Sequence, residues 1–187
     1  HREVAKLVAE GYTIVLLGTP NHPEVVGILG YAPDAIVVDE EEEWDQVLAV
    51  NLKGYFLCAR AAFDHLAASG HGRIVNVASI TAFIGMTHLL DYVSSKGAVI
   101  SFTRALAREI GPEGVTVNAV SPGAFPTDAE KIHPNPAEYD QWILDQQSVK
   151  RRGRPDDIGS LVVYLASDAA SFLTGQVIEL DGGWFMH

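Results

Sequence analysis

Apolar and polar positions alternate between two rhythms along this chain. Val4, Leu7 and Val8 mark a short helical face that Gly11 stops, and Thr13-Ile14-Val15-Leu16-Leu17 then reads as a strand buried on both faces. From about Glu43, apolar residues recur at steps of three and four through Trp44, Val47, Leu48, Tyr55, Phe56, Ala59, Phe63 and Leu66, predicting a long helix that Gly70-His71-Gly72 ends. Arg73 to Ala78 is the next strand. Val99, Phe102, Leu106 and Ile110 predict a helix that includes Tyr92 and closes at Gly111-Pro112. Val115 to Val120 forms a strand running into Ser121-Pro122-Gly123. Residues 124–150 are irregular around a short helical segment near Tyr139 to Gln147. Acidic Asp156 and Asp157 start another helix, and Gln176 to Leu180 is a last strand before Asp181-Gly182-Gly183. Strand and helix in regular succession predict an α/β fold, a doubly wound parallel sheet in a Rossmann-like three-layer αβα arrangement.

Composition adds limits. With 187 residues, 48% hydrophobic and 20% charged, the chain suits a single globular domain over residues 1–187. A formal net charge of −11 without long basic runs argues against nucleic acid as the main partner. Lys150 to Arg154 is the one dense basic stretch, read as a solvated loop or subunit contact. No apolar segment is long enough to span a bilayer, and His1 to Lys6 does not open a signal peptide. The single cysteine, Cys58, excludes an internal disulfide framework and is expected as a buried, inert thiol in a cytoplasmic setting. The seven histidines show no metal-ligand spacing, so no metal is expected.

Chemistry concentrates where a doubly wound sheet holds its ligands, beyond the carboxyl ends of the strands. Ser79 follows one strand, Ser121-Pro122-Gly123 follows the next, and Tyr92 and Lys96 start the helix between them. Four residues apart, Tyr92 and Lys96 share a helix face. A phenol with a pKa near about 10 is a poor base at neutral pH, and a neighbouring ammonium lowers it. Ser79 is placed to hold a substrate oxygen beside the tyrosine. Taken alone, the Tyr-x-x-x-Lys spacing favours a surface pair on an amphipathic helix.

The surrounding motifs change that balance. Trp44 to Gly54 with Val50-Asn51, Gly72 to Ser79, Tyr92 to Ala98, Val117 to Gly123, and Thr174-Gly175-Gln176 with Asp181-Gly182-Gly183 together resemble a short-chain dehydrogenase/reductase. The resemblance implies an NAD(P)-dependent oxidoreductase interconverting a secondary alcohol and a ketone. It implies that Tyr92 is the general acid or base, that Lys96 lowers its pKa and binds the nicotinamide ribose, and that Ser79 orients the substrate oxygen. Asn51 would hold a water linking Lys96 to solvent, although an asparagine here could equally kink the helix. Pro122, Gly123, Phe125 and Thr127 would border the nicotinamide, with the Phe125 backbone and the Thr127 hydroxyl on its carboxamide. A homodimer or homotetramer is also implied, with the apolar Trp184-Phe185-Met186 tail buried against a neighbouring subunit.

The amino-terminal part departs from the family pattern. The family's Gly-rich turn cradles the dinucleotide pyrophosphate, and no such glycine cluster exists in these residues. His1 falls inside the helix expected to follow that turn, and only Gly27-Ile28-Leu29-Gly30 lies near the place of a later Asn-Asn-Ala-Gly segment. The full polypeptide is therefore expected to carry residues absent here, a truncated protein being the alternative that intact mass separates. The choice between NAD and NADP stays open, because Gly18-Thr19-Pro20 is neutral where a charged residue would decide it. Two further readings remain: an enzyme of this fold that works without nicotinamide, as a dehalogenase or lyase, and a non-catalytic subunit.

Overall fold

A computed structural model describes residues 14–17, 41–127, 130 and 134–187. The expected helix around Val4 to Val8 and the Gly27 to Gly30 segment lie outside them. Among the described residues, four parallel strands pair in chain order: β1 (Ile14–Leu17), β2 (Arg73–Val77), β3 (Thr116–Pro122) and β4 (Val177–Leu180). Register runs from Ile14 opposite Arg73, to Ile74 opposite Val117, to Val120 opposite Ile178.

The side-chain alternation of the central strands shows why helices cover both faces. Ile74, Val117 and Ala119 point into one core with Tyr55, Ala59, Leu66, Val99 and Ala107. These come from α2 (Gly54–Ser69) and α4 (Leu90–Ile110). Val75 and Val120 point the other way, onto Val162 and Leu165 of α6 (Pro155–Ala166). The sheet is thus the middle of three layers, as its continuous apolar strands require.

Before α2 comes α1 (Glu41–Leu48), joined to it without a break by a π-helical turn at Ala49–Lys53. Inside this long helix, Val47, Asn51, Tyr55, Ala59 and Leu66 face inward. Phe56, Leu57 and Cys58 face outward. The thiol expected to be buried is therefore exposed: the run Tyr55 to Cys58 is apolar throughout, but a helix can turn only part of it toward the sheet. Gly70 closes α2 in the left-handed conformation, with φ of 71°.

Buried amides lock the helices in register. Asn76 donates to the Thr103 hydroxyl at 2.8 Å, fixing α4 on β2. Asn118 donates to the Leu173 carbonyl at 2.8 Å and accepts from the Gln176 backbone at 3.1 Å, fixing the approach to β4. The Asp157 carboxylate accepts from the Arg154 backbone and from both ends of the Arg151 guanidinium, holding the first turn of α6. The short α3 (Thr81–Ile84) follows β2, and α5 (Pro136–Gln146) follows β3. Among the described residues, no helix is long and apolar enough to cross a membrane.

The tail curls back onto its own chain. Phe185 donates its backbone N–H to Asp181 at 2.8 Å and stacks on Phe83 with ring centroids 5.0 Å apart. Trp184 meets Trp142 edge to face at 5.2 Å. Trp184 and Phe185 are half-buried by these contacts, and Met186 remains exposed.

Candidate active site

The carboxyl ends of β2 and β3 run side by side beyond the last paired residues. Ala78 donates to the Val120 carbonyl at 2.8 Å and Ile80 to the Pro122 carbonyl at 3.2 Å. These bonds pin Ser79 next to the Ser121-Pro122-Gly123 turn. The amino-terminal turn of α4 rises against the same edge and carries Tyr92 and Lys96.

Ser79 is 7% exposed. Its Oγ accepts from the Thr81 hydroxyl at 2.9 Å and from the Thr81 backbone at 3.3 Å. With its lone pairs so engaged, its own hydrogen is directed to the Tyr92 phenol. Thr81, Ser79 and Tyr92 thus form a donor chain that ends on the phenolic oxygen.

Lys96 is 1% exposed, the largest fully buried side chain among the described residues. Its Nζ donates to the Val77 carbonyl at 2.9 Å and to the Tyr55 hydroxyl at 3.5 Å. It lies 5.5 Å from the centre of the Tyr92 ring and 5.7 Å from that of Tyr55. Burial disfavours its charge and brings its pKa down to about 8. At neutral pH it is still mostly an ammonium.

The phenol of Tyr92 responds differently from the sequence expectation. Burial raises its pKa, and the Ser79 hydrogen bond is what pulls it back. Spacing of four residues brings Lys96 over the Tyr92 ring, while the ammonium donates to Val77 and Tyr55. Proximity along a helix fixes the neighbour but not the burial of either group, and burial dominates here.

Asn51 sits in the π turn and is 5% exposed. Its Nδ2 donates to Ser95 Oγ at 2.9 Å, and Ser95 donates in turn to the Tyr92 carbonyl at 2.7 Å. The side chain thus braces the start of α4, and the group of this helix that reaches Lys96 is Tyr55. Ser79, Tyr92 and Lys96 are brought together directly, with Asn51 one hydrogen-bonded residue away.

Pro122 ends β3, and Gly123 donates to the Leu180 carbonyl at 3.1 Å. A Cβ at Gly123 would lie 2.8 Å from Asp181, so only glycine allows this close approach. Phe125 is half-buried with its ring against Gly153, where an added Cβ would come within 2.5 Å of it. Thr127 is exposed and its carbonyl accepts from Glu130 at 3.1 Å.

Four residues of this assembly have no place in the sequence reading as functional groups: Tyr55, Thr81, Ser95 and Arg152. Each carries a faint signal. Tyr55 lies four residues after Asn51, Ser95 three after Tyr92, and Thr81 two after Ser79. Arg152 was legible only as part of a basic stretch. Its guanidinium pairs with Glu130 and Asp140, and its Nε donates to the Ala124 carbonyl at 3.4 Å.

Comparison with known proteins gives this geometry a family. A family model described as enoyl-(acyl carrier protein) reductase matches residues 24–185. The (2S)-[(R)-hydroxy(phenyl)methyl]succinyl-CoA dehydrogenase subunit BbsD of Thauera aromatica is 43% identical over 144 residues, covering 76% of this chain and 56% of that protein. The 3-oxoacyl-[acyl-carrier-protein] reductase FabG of Staphylococcus aureus is 37% identical over 147 residues, covering 79% and 59%. A crystal structure of gluconate 5-dehydrogenase from Burkholderia cenocepacia, in complex with NADP and tartrate, superposes with a TM-score of 0.79 at 28% identity, covering 91% of this chain and 64% of that one. The chain therefore spans between a half and two thirds of the length of these relatives. On the family match and the shared fold, the chain belongs to the short-chain dehydrogenase/reductase family.

Proposed function

We propose that this chain carries the proton-transfer site of an NAD(P)-dependent oxidoreductase that interconverts a secondary alcohol and a ketone. The observation that carries the reading is the Tyr92 phenol, buried, hydrogen-bonded by Ser79 and faced by the Lys96 ammonium. In reduction, Tyr92 gives its proton to the carbonyl oxygen as that oxygen gains negative charge. Ser79 turns its one hydroxyl hydrogen from the phenol to the same oxygen and fixes its position. The phenolate left on Tyr92 is stabilised by Lys96, and oxidation runs these steps in reverse. Burial raises the phenol's pKa, so Tyr92 rests in the acid form that gives its proton to the carbonyl oxygen.

A nicotinamide dinucleotide would supply the hydride when bound. The chain's residues fit its ribose end. Lys96 has three N–H groups, two of them engaged by Val77 and Tyr55, which leaves one for a ribose hydroxyl. Pro122 accepts from Ile80 beside Ser79, and with Gly123, Phe125 and Thr127, which follow it along the chain, it would border the nicotinamide. The names of the relatives, two dehydrogenases and a reductase, one of them solved with NADP, support this cofactor class without choosing between NAD and NADP. Exposed Phe56 and Leu57 on α2 and Tyr164 on α6 support a homodimer or homotetramer, and the same reading takes a small molecule as substrate and the cytoplasm as the setting.

Fluorescence titration of the full-length protein with NADH and NADPH, and turnover of ethyl acetoacetate as a simple ketone, test the reading. At least one dinucleotide should bind. Tyr92→Phe should lower turnover on the order of 10²–10⁴-fold while leaving dinucleotide affinity within about twofold. Failure of both dinucleotides to bind, or a Tyr92→Phe variant at the wild-type rate, overturns it.

A further inference from the structure

Tyr55 is a buried titratable group that the proton transfer proposed above does not use. It is 2% exposed and lies on α2, one helical turn after Asn51. Its hydroxyl donates to the Val77 carbonyl at 3.0 Å. The same carbonyl accepts from Lys96 Nζ at 2.9 Å, and Nζ is 3.5 Å from the Tyr55 oxygen. Carbonyl, phenol and ammonium therefore close a triangle at the end of β2.

The donor and acceptor inventory orders this triangle. A neutral phenol has one hydrogen, spent here on Val77, so its lone pairs are what Lys96 meets. Burial and the neighbouring Tyr92 raise the Tyr55 pKa, so it stays a neutral phenol and serves neither as a base nor as a counter-charge. A lysine side chain is a flexible stem ending in three rotatable donors. One carbonyl alone would let the ammonium pivot, whereas two acceptors on different elements fix two donors and aim the third.

We infer that Tyr55 is a positioning residue for Lys96, holding the ammonium beside Tyr92 with one N–H presented to the ribose of the dinucleotide. The inference rests on the oxidoreductase reading and deepens it. It assigns to Tyr55 the contact between the long helix and Lys96, while Asn51 braces the tyrosine's own helix through Ser95.

A double-mutant cycle on the full-length protein separates this role from that of an ordinary core tyrosine. Tyr55→Phe keeps the ring and leaves the Val77 carbonyl bonded to Lys96, so its one effect on the triangle is to free the Lys96 N–H that the hydroxyl accepted. Dinucleotide affinity is read by NADH and NADPH fluorescence titration, turnover with ethyl acetoacetate, and folding by the melting temperature. Tyr55→Phe should bind the dinucleotide about three- to tenfold more weakly and lower kcat by a similar factor, with the KM for ethyl acetoacetate unchanged. In a Lys96→Met background, the same substitution should leave dinucleotide affinity unaltered, because a group acting through Lys96 has nothing left to act on. Tyr55→Met removes the hydroxyl in a second way and should give the same cycle. If dinucleotide affinity is untouched by Tyr55→Phe, or falls equally in both backgrounds, the inference is overturned while the oxidoreductase reading stands. A wild-type protein that binds neither dinucleotide overturns both.

Discussion

Asn51 Nδ2 lies 2.9 Å from Ser95 Oγ, across the seam where the π turn meets α4. Both groups are buried, and Ser95 passes the connection to the backbone of Tyr92 at 2.7 Å. One side chain on the long helix thus sets where the amino-terminal turn of α4 stands, and with it the phenol.

Asn51→Ala should cost about 1–2 kcal/mol of folding stability, read as a lower urea midpoint, because it deletes a buried hydrogen bond and strands an acceptor on Ser95. Ser95→Ala should cost a similar amount, and the double variant less than the sum. Turnover should fall with Asn51→Ala more than dinucleotide affinity does, since the substitution loosens the mount of Tyr92.

Lys96 should show the opposite sign in stability. Its folded pKa is about 8 against an ordinary 10.5, so the unfolded chain holds this proton more tightly than the folded one. Stability therefore rises with pH between those values, and the burial penalty is present in full below about pH 8. Lys96→Met should accordingly raise the melting temperature at pH 7, by up to about 3 kcal/mol of stability. The advantage should close as pH is raised toward 10. Thermal scans across pH 6–10 check this, and a variant less stable than wild type at pH 7 would show that the hydrogen bonds of Lys96 outweigh its desolvation.

Arg152 should matter for the segment after β3. It pairs with Glu130 and Asp140, donates to the Ala124 carbonyl and lies 5.8 Å from the centre of the Tyr139 ring. Arg152→Ala should release the chain around Phe125, seen as faster hydrogen exchange of the flanking hydrogen-bonded amides of Gly123 and Glu130. The KM for ethyl acetoacetate should rise about three- to tenfold with kcat less affected, and the fold should lose no more than about 1 kcal/mol, because Asp140 is half-exposed.

The legibility of this molecule followed burial. Strands β2 and β3 were readable to within two residues because both faces are covered, which makes Ile74-Val75 and, Asn118 apart, Val117 to Val120 apolar. The end of α4 was readable from Gly111-Pro112. Ser79, Tyr92 and Lys96 were readable because they lie at strand ends or within one helical turn of each other. Groups that meet only in the fold were not. Tyr55 looked like one more apolar residue of a helix, since its partners Val77 and Lys96 lie 22 and 41 residues away. The outward turn of Cys58 and the raised pKa of Tyr92 escaped for the same reason: neither exposure nor desolvation is a property of local spacing.

The π turn at Ala49–Lys53 has a geometric consequence for the whole helix. In a regular α-helix, residues taken every fourth position drift about 40° around the axis at each step, so a row of them winds off any flat partner. Val47, Asn51, Tyr55 and Ala59 nevertheless all face inward. The wider turn, closed by the Gly54 N–H on the Ala49 carbonyl, rotates less per residue and cancels part of that drift. The helix is in effect phase-corrected at its middle. Changing what the turn is made of should be tolerated wherever the side chain faces solvent, whereas shortening it by one residue would swing everything before it about 100° out of alignment.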